Sequence, residues 1–272
     1  VIDFSFAKIN LGLHIISKRA DGYHNLETIF VPTSLYDVVE IVEAEECKLF
    51  TYGNQIPGEA KDNLCVKAFQ LMKEKYAIPS VNIHLLKRIP HAAGLGGGSS
   101  NAASCLKLLN NIFKLGIKQA DLIALAKKIG ADCAYFIHDK KILFAGERGD
   151  AFQGIDNFSF PYHIIIIKPS FSVSTKEAFA GIEIEQREPS LLDVIKANPA
   201  QWKDKLHNDF EKSLLPKYPQ IGEIKEYCYK NGALYSSLSG SGSALFALFE
   251  DSEKAAKFKE NFSCKDCTVF FA

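Results

Sequence analysis

Residues 90–104 read PHAAGLGGGSSNAAS. Gly94, Gly96, Gly97 and Gly98 fall within five positions, and Ser99, Ser100 and Asn101 follow directly. Glycine loses more conformational freedom on folding than any other residue, so such a run needs a reason. Its backbone N–H groups can point inward together. With the first turn of a following helix they form a socket for anionic oxygen. Without Cβ atoms, a phosphate can approach the main chain. Ser99 and Ser100 add hydroxyls that also suit a divalent cation, and Asn101 adds an amide from the first helical turn. Close packing of a helix on a strand is the plainer explanation. Four glycines in five positions, followed by three hydrogen-bonding side chains, exceed what packing alone requires.

Working outward, the loop sits between a strand and a helix. In VNIHLLKRIP, Val81, Ile83 and Leu85 alternate with Asn82 and His84, as in a half-buried strand that Pro90 ends. Beyond the loop, Ala102, Cys105, Leu106, Leu109, Ile112 and Phe113 recur every three or four residues, which is one face of a helix. Two familiar phosphate loops do not fit. GxxxxGK[ST] requires a lysine where Ser99 stands, and GxGxxG requires a third glycine that this spacing lacks.

Upstream, the chain reads as short strand-like runs with turns, including β-branched Val38 to Val42. LCVKAFQLMKEKY is helical in spacing, with Asp62 or Asn63 as its N-cap. Downstream, DLIALAKKI predicts a helix from about Asp121 to Ile129 that stops at Gly130 as a C′ residue. Residues 149–162 carry turn formers and little periodicity, which places a domain boundary near 155. HIIIIKP reads as a fully buried strand ending at Pro169. A polar, proline-bearing stretch covers residues 183–201. A helix over roughly 220–231, a second glycine turn in SSLSGSGSALFALFE with a strand after it, a short helix in SEKAAKFKENF and a closing strand in CTVFFA complete the chain. Strands and helices in mixed order predict an α+β fold.

Of the 272 residues, 47% are hydrophobic, enough for a substantial core. Lys plus Arg and Asp plus Glu are each 32, so the net charge is zero. That argues against blanketing nucleic acid or an anionic membrane with positive charge, though not against a small local anion site. The seven cysteines are odd in number and several lie in apolar runs, as expected of a reducing cytoplasm. Cys264-Lys-Asp-Cys267 is a lone CxxC, and it predicts neither a metal nor a redox role. His14, His84 and His207 show no metal-like spacing. No signal peptide or membrane-spanning run is legible, so a soluble cytoplasmic protein is expected.

Two charged residues stand out. Lys8 interrupts the apolar run FSFAKINLGL, so it either snorkels to solvent from an edge strand or is held by a carboxylate or phosphate. Asp132 in GADCAYF comes after a helix stop, among apolar residues. It can cap the next turn of chain beyond Gly130, or accept a proton as a partly desolvated carboxylate beside a cation. The residues alone leave both choices open. In RADGYHNLETIF, Tyr23 and His24 come after an Asp-Gly turn and suit the stacking and edge reading of a base, unless they are only a hairpin tip.

These segments, PHAAGLGGGSSNAA together with AKINLGL, RADGYHNLETIF, GADCAYF and SGSGSALFAL, resemble in order and spacing the GHMP kinases, which include galactokinase, homoserine kinase and mevalonate kinase. The chain departs from the family pattern at His91-Ala92-Ala93, usually richer in glycine, and at Ala134, usually proline. The resemblance implies a two-domain GHMP kinase fold. Its N-terminal domain (1–155) would be like ribosomal protein S5 domain 2 and carry the ATP loop. Its C-terminal domain (156–272) would be a ferredoxin-like α/β sandwich. The resemblance also implies ATP and Mg²⁺ as cofactors; the sequence shows no legible protein ligands for the Mg²⁺, since no acidic residue lies in the glycine loop or the helix after it. It assigns Pro90, His91, Ala92, Ala93, Gly94, Leu95, Gly96, Gly97, Gly98, Ser99, Ser100 and Asn101 to the ATP phosphates, and Asn63 and Lys87 to the purine. Lys8 and Asp132 become the catalytic pair, with Lys8 lowering the aspartate pKa and positioning the hydroxyl.

By the same resemblance, Asn10, Tyr23, His24, Thr175, Phe179 and Gly240 contact the acceptor, with Tyr23, His24 and Phe179 around a cytosine. Gly240-Ser241-Gly242 matches the family's later glycine turn. The implied reaction is ATP-dependent phosphorylation of the 2-hydroxyl of a cytidine-diphosphate-linked methylerythritol, in the non-mevalonate supply of isoprenoid precursors. A kinase for mevalonate or homoserine, and a non-catalytic RNA-binding module, are the alternatives. Tyr23-His24 speaks against the first, and zero net charge with the Lys8–Asp132 pair against the second. A small-molecule partner, no nucleic acid or membrane partner, and a monomer or weak dimer complete the expectation.

Overall fold

The computed structural model describes residues 1–139, 141–185, 189–264 and 266–272. In chain order the elements are β1 (Ile2–Lys18), β2 (His24–Glu43), β3 (Lys48–Gly53), α1 (Leu64–Tyr76), β4 (Val81–Lys87), α2 (Gly97–Ile112) and α3 (Gln119–Ile129). A 3₁₀ helix (Ala131–Ile137) comes next, then β5 (Leu143–Gly146), β6 (Ala151–Gly154), β7 (His163–Pro169) and α4 (Thr175–Ala180). The chain ends with α5 (Leu191–Lys196), α6 (Trp202–Lys205), α7 (Asp209–Leu214), α8 (Gln220–Lys230), β8 (Tyr235–Leu238), β9 (Leu245–Phe249), α9 (Ser252–Asn261) and β10 (Cys267–Phe271). The mixed α+β content agrees with the expectation from sequence.

Two compact units interleave along the chain. The first comprises Val1–Lys8, Leu35–His91 and Gly96–Lys141; the second comprises Ile9–Ser34, Ala92–Leu95 and Ile142–Ala272. Long strands cause this interleaving. β1 and β2 have 17 and 20 residues, not the short runs the sequence suggests, and each passes through both units.

In the first unit, β4 pairs antiparallel with the C-terminal part of β2, from Val38↔Leu86 to Glu43↔Val81, and parallel with β3. The inward faces obey the period of two. Leu35, Asp37, Val39 and Ile41 are buried on β2, as are Val81, Ile83, Leu85 and Lys87 on β4. The amphipathic helices α1, α2 and α3 contribute Phe69, Met72, Leu106, Leu109 and Leu125 to this core.

In the second unit, β5 pairs antiparallel with residues 28–30 of β2 and with β6, so the turn-rich stretch from residue 149 contains a short strand. A four-stranded antiparallel sheet has the order β10-β7-β9-β8. Ile164 to Ile167 of β7 are all buried, as expected, but between antiparallel neighbours. The sheet shares one core with α4, α7, α8 and α9 through Ala178, Phe210, Leu214, Ile221, Ile224, Ala255 and Phe258. The helices α4 and α7 are not among the sequence expectations, although Ser174 with Glu177 and Asn208 with Glu211 are N-terminal capping signals. The polar stretch 183–201 holds α5, and residues 186–188 of it lie outside the described ones.

Two local expectations are corrected. Gly130 ends α3 with φ −179°, an extended backbone open to any residue, so it is not a left-handed C′ glycine. Cys264 and Cys267 are joined in a disulfide, where the sequence predicts no redox role for the lone CxxC and a reducing compartment for the cysteines as a set. Among the described residues, no helix is long and apolar enough to cross a membrane.

Candidate active site

In the first unit the glycine loop runs into α2. Gly96 is the N-cap of α2 in the left-handed region (φ +69°), and the amide of Ser100 closes the first helical bond, to Gly96 O at 2.8 Å. The amides of Gly97, Gly98 and Ser99 precede that bond and have no partner within the helix. No acidic residue occupies the first turn. The first turn of α2 therefore presents N–H groups and a positive dipole end with no acidic side chain of its own.

The glycines are explained by what their missing Cβ atoms avoid. At Gly96 a Cβ would lie 2.7 Å from Phe136 Cζ and 3.3 Å from Lys8 Cε. At Gly97 it would lie 2.9 Å from Ile89 Cγ2. In the second unit, Gly94 (φ +74°) backs onto the later glycine turn. A Cβ there would sit 1.9 Å from Ser239 O, Ser239 Oγ donates to Gly94 O at 2.9 Å, and Ala244 N donates to Ala93 O at 3.1 Å. Only at Gly98, exposed and 3.6 Å from Leu64 Cδ1, does a Cβ find ordinary room. Close packing, the plainer explanation of the run, accounts for three of the four. The loop backbone is pressed onto protein on one side, which fixes the direction of its amides on the other.

Lys8 lies beside this loop start. It is only 3% exposed, and its Nζ is 3.8 Å from Asp132 Oδ2, whose side chain is 39% exposed. Lys8 is thus held by a carboxylate and does not snorkel out. Burial pulls its pKa below the ordinary lysine value, and Asp132 opposes that shift. The N-cap of the 3₁₀ helix is Gly130, and Asp132 stands within its first turn. The capping alternative for Asp132 is therefore excluded. Its neighbour Cys133 is buried, which pushes the thiol up to about 12, with Ser99 pulling the other way. That thiol is no nucleophile at neutral pH.

Other expected nucleotide residues are placed differently. Ser100 and Asn101 are 1% and 2% exposed, so of the three polar residues only Ser99 remains half-exposed. The Asn101 side chain bonds to Lys87 and Asp37 inside the unit. Lys87 is no strand-end surface charge; it is buried and paired with Asp37. Asn63 caps α1, its Oδ1 accepting from Cys65 N at 2.9 Å. Pro90 is half-buried, and His91 is exposed.

In the second unit, Ala92 is exposed at φ +49°, while Ala93 and Leu95 are buried. Asn10 is buried and donates to Thr28 Oγ1 at 2.9 Å, and Thr28 in turn donates to Gly12 O at 2.6 Å. Tyr23 is 60% exposed; Asp21 Oδ1 accepts from its amide, as the Asp-Gly turn predicts. The rings are not arranged as two open platforms. His24 stacks directly on Phe179, with centroids 4.8 Å apart and planes 20° apart, and Arg148 lies 5.4 Å above Tyr23. Burial lowers the His24 pKa, and Lys18 adds to the effect. Thr175 Oγ1 is 3.4 Å from Ser241 Oγ, and Gly240 O accepts from Asn208 Nδ2 at 2.9 Å.

Sequence reading missed Asp37, Arg148, Ser239 and Asn208. Asp37 had a usable signal, since it continues the inward stripe Leu35, Val39, Ile41. Asn208 had a local signal as the N-cap of α7, but its bonds to Leu238 O and Gly240 O, like the contacts of Arg148 and Ser239, depend on distant partners. Among the described residues no group of three or more His, Cys, Asp or Glu could hold a metal ion.

Residues 63–140 match the family model for the GHMP kinases N terminal domain, and residues 191–267 match GHMP kinases C terminal. A 4-diphosphocytidyl-2-C-methyl-D-erythritol kinase from Cytophaga hutchinsonii is 47% identical over 265 residues, 97% of either chain. Another of that name, from Bacteroides thetaiotaomicron, is 48% identical over 254 residues, 92% of either chain. A crystal structure of a 4-(cytidine 5'-diphospho)-2C-methyl-D-erythritol kinase superimposes with a TM-score of 0.82 at 27% identity, covering 99% of this chain and 98% of that one. The mevalonate kinase of Methanococcus jannaschii shares the fold, with a TM-score of 0.72 at 16% identity over 99% and 96% of the two chains. By motif, sequence and fold alike, this chain belongs to the GHMP kinases.

Proposed function

We propose that this chain transfers the γ-phosphoryl group of ATP to the 2-hydroxyl of 4-diphosphocytidyl-2-C-methyl-D-erythritol, a step in non-mevalonate isoprenoid precursor biosynthesis. One geometric observation carries the chemistry. A buried lysine stands 3.8 Å from a partly exposed aspartate, against the glycine that opens α2. The substrate assignment is supported by relatives of that name at 47% and 48% identity over nearly their whole length.

The amides of residues 97–99 cradle the phosphates, and Ser99 offers a hydroxyl beside them. The Ser99 hydroxyl would face Mg²⁺ carried in with the nucleotide, which would supply neutralisation of phosphate charge. Asp132 takes the proton of the 2-hydroxyl as its oxygen bonds to the γ-phosphorus, and the bond to the β-phosphate oxygen breaks to release ADP. Lys8, protonated, holds the aspartate and the reacting oxygen in place. Asn10, two residues along β1 from Lys8, together with Tyr23, His24, Thr175, Phe179 and Gly240 holds the acceptor. Because His24 and Phe179 are stacked on each other, the cytosine binds on the outer face of that pair or on Tyr23. Family matches on either side of residue 155 support a domain boundary there. We further propose that the enzyme acts in the cytoplasm as a monomer or weak dimer, with no nucleic-acid or membrane partner.

The test is ADP release with the cytidine-diphosphate substrate, mevalonate and homoserine in parallel. Turnover is expected with the first alone. Turnover with either of the others and none with the first overturns the assignment.

A further inference from the structure

Asp37 is fully buried, and its carboxylate has four donors. Oδ1 accepts from the backbone amides of Arg88 at 2.7 Å and Ile89 at 2.8 Å. Oδ2 accepts from Lys87 Nζ and, at 2.9 Å, from Asn101 Nδ2. Lys87 Nζ also donates to Asn101 Oδ1 at 2.9 Å, closing the triad. Four bonds use the acceptor capacity of a carboxylate in full.

The placement of these donors matters more than their number. Arg88 and Ile89 lead into the glycine loop, and Asn101 lies in α2 just beyond it. Between them Ala92, Gly94 and Gly96 all have positive φ, a backbone that unsupported L-residues avoid. A Cβ on Gly97 would stand 3.3 Å from Lys87 Nζ and 2.9 Å from Ile89 Cγ2, so the triad lies against the inner side of the first turn of α2.

From this geometry we propose that Asp37 is a positioning residue for nucleotide binding. One buried carboxylate ties the chain entering the loop to the helix leaving it, and so sets where the amides of residues 97–99 stand. Lys87 and Asn101 serve the same purpose from inside; neither side chain reaches for the nucleotide. The proposal rests on the kinase reading above, and it concerns the nucleotide only.

The experiment measures Kd for the non-hydrolysable analogue AMP-PNP with Mg²⁺, alongside steady-state kinetics and Tm. Its arms are wild type, Asp37→Asn and Asn101→Ala. Asp37→Asn keeps the shape but presents an amide donor to two donors. It should weaken AMP-PNP binding and raise KM for ATP about tenfold, while kcat and the acceptor KM stay within about twofold. Asn101→Ala frees only the far flank and should shift the same two quantities about threefold. It carries the test if Asp37→Asn does not fold. A lower Tm with Kd for AMP-PNP within twofold of wild type in the folded variants makes the triad merely structural and overturns the proposal. Wild type that fails to bind AMP-PNP at all overturns the kinase reading first, and this proposal with it.

Discussion

Two lysine–aspartate pairs of the first unit, each built on a buried lysine, have opposite character. Lys8 and Lys87 are buried alike, at 3% and 5% exposure. Their partners differ. Asp132 is 39% exposed and stands 3.8 Å away, whereas Asp37 is fully buried and bonded directly. In the closed pair the carboxylate's acceptor sites are all taken by donors of the protein, so it acts as a tether. An open pair keeps a carboxylate oxygen for a proton that arrives from outside. In the function proposed above, one pair is a tether and the other a reactive site, and the difference lies in the exposure of the acid.

The largest expected effect separates the pairs by activity. Asp132→Asn should lower kcat by about 10²–10⁴-fold with binding of both ligands retained. Near-normal turnover would assign Asp132 a structural role. The closed pair should respond in the opposite sense. Asp37→Ala strands a buried ammonium and should lower unfolding free energy by about 3–5 kcal/mol in a denaturant titration; a loss below about 1 kcal/mol would break the contrast.

The glycines extend the comparison. Gly94→Ala forces a Cβ to within 1.9 Å of Ser239 O at φ +74° and should cost at least about 2 kcal/mol. Gly98→Ala meets nothing closer than 3.6 Å, lies inside α2, and should gain up to about 1 kcal/mol while weakening ATP binding. Unchanged KM for ATP in Gly98→Ala would move the phosphates away from this turn.

The subtlest test is pH. Lys8 must carry its proton to serve Asp132, and burial has lowered its pKa from the ordinary 10.5. Activity that depends on Lys8⁺ is therefore full below the lowered pKa and lost as pH rises through it. The alkaline limb of kcat/KM should lie below pH 10.5 and move upward in Lys8→Arg. A limb that does not move would tie it to another group.

The primary sequence by itself determined the order strand, glycine loop, helix, the residues of that loop, the buried run HIIIIKP, a cap at Asp62 or Asn63, and the suspicion attached to Lys8 and Asp132. Each is local. Periodicity, glycine density and a charge within an apolar run reflect constraints acting over a few neighbouring residues. Only the tertiary structure decided that Gly94 serves the turn at Ser239, that Asn101 and Lys87 face inward to Asp37, that His24 covers Phe179, and that β1 and β2 run long enough to enter both units. Those outcomes depend on residues far apart in the chain, 50 positions for Lys87 with Asp37 and 145 for Ser239 with Gly94. Which partner a side chain meets at such a separation is set by sheet register and packing, and no local pattern carries that information.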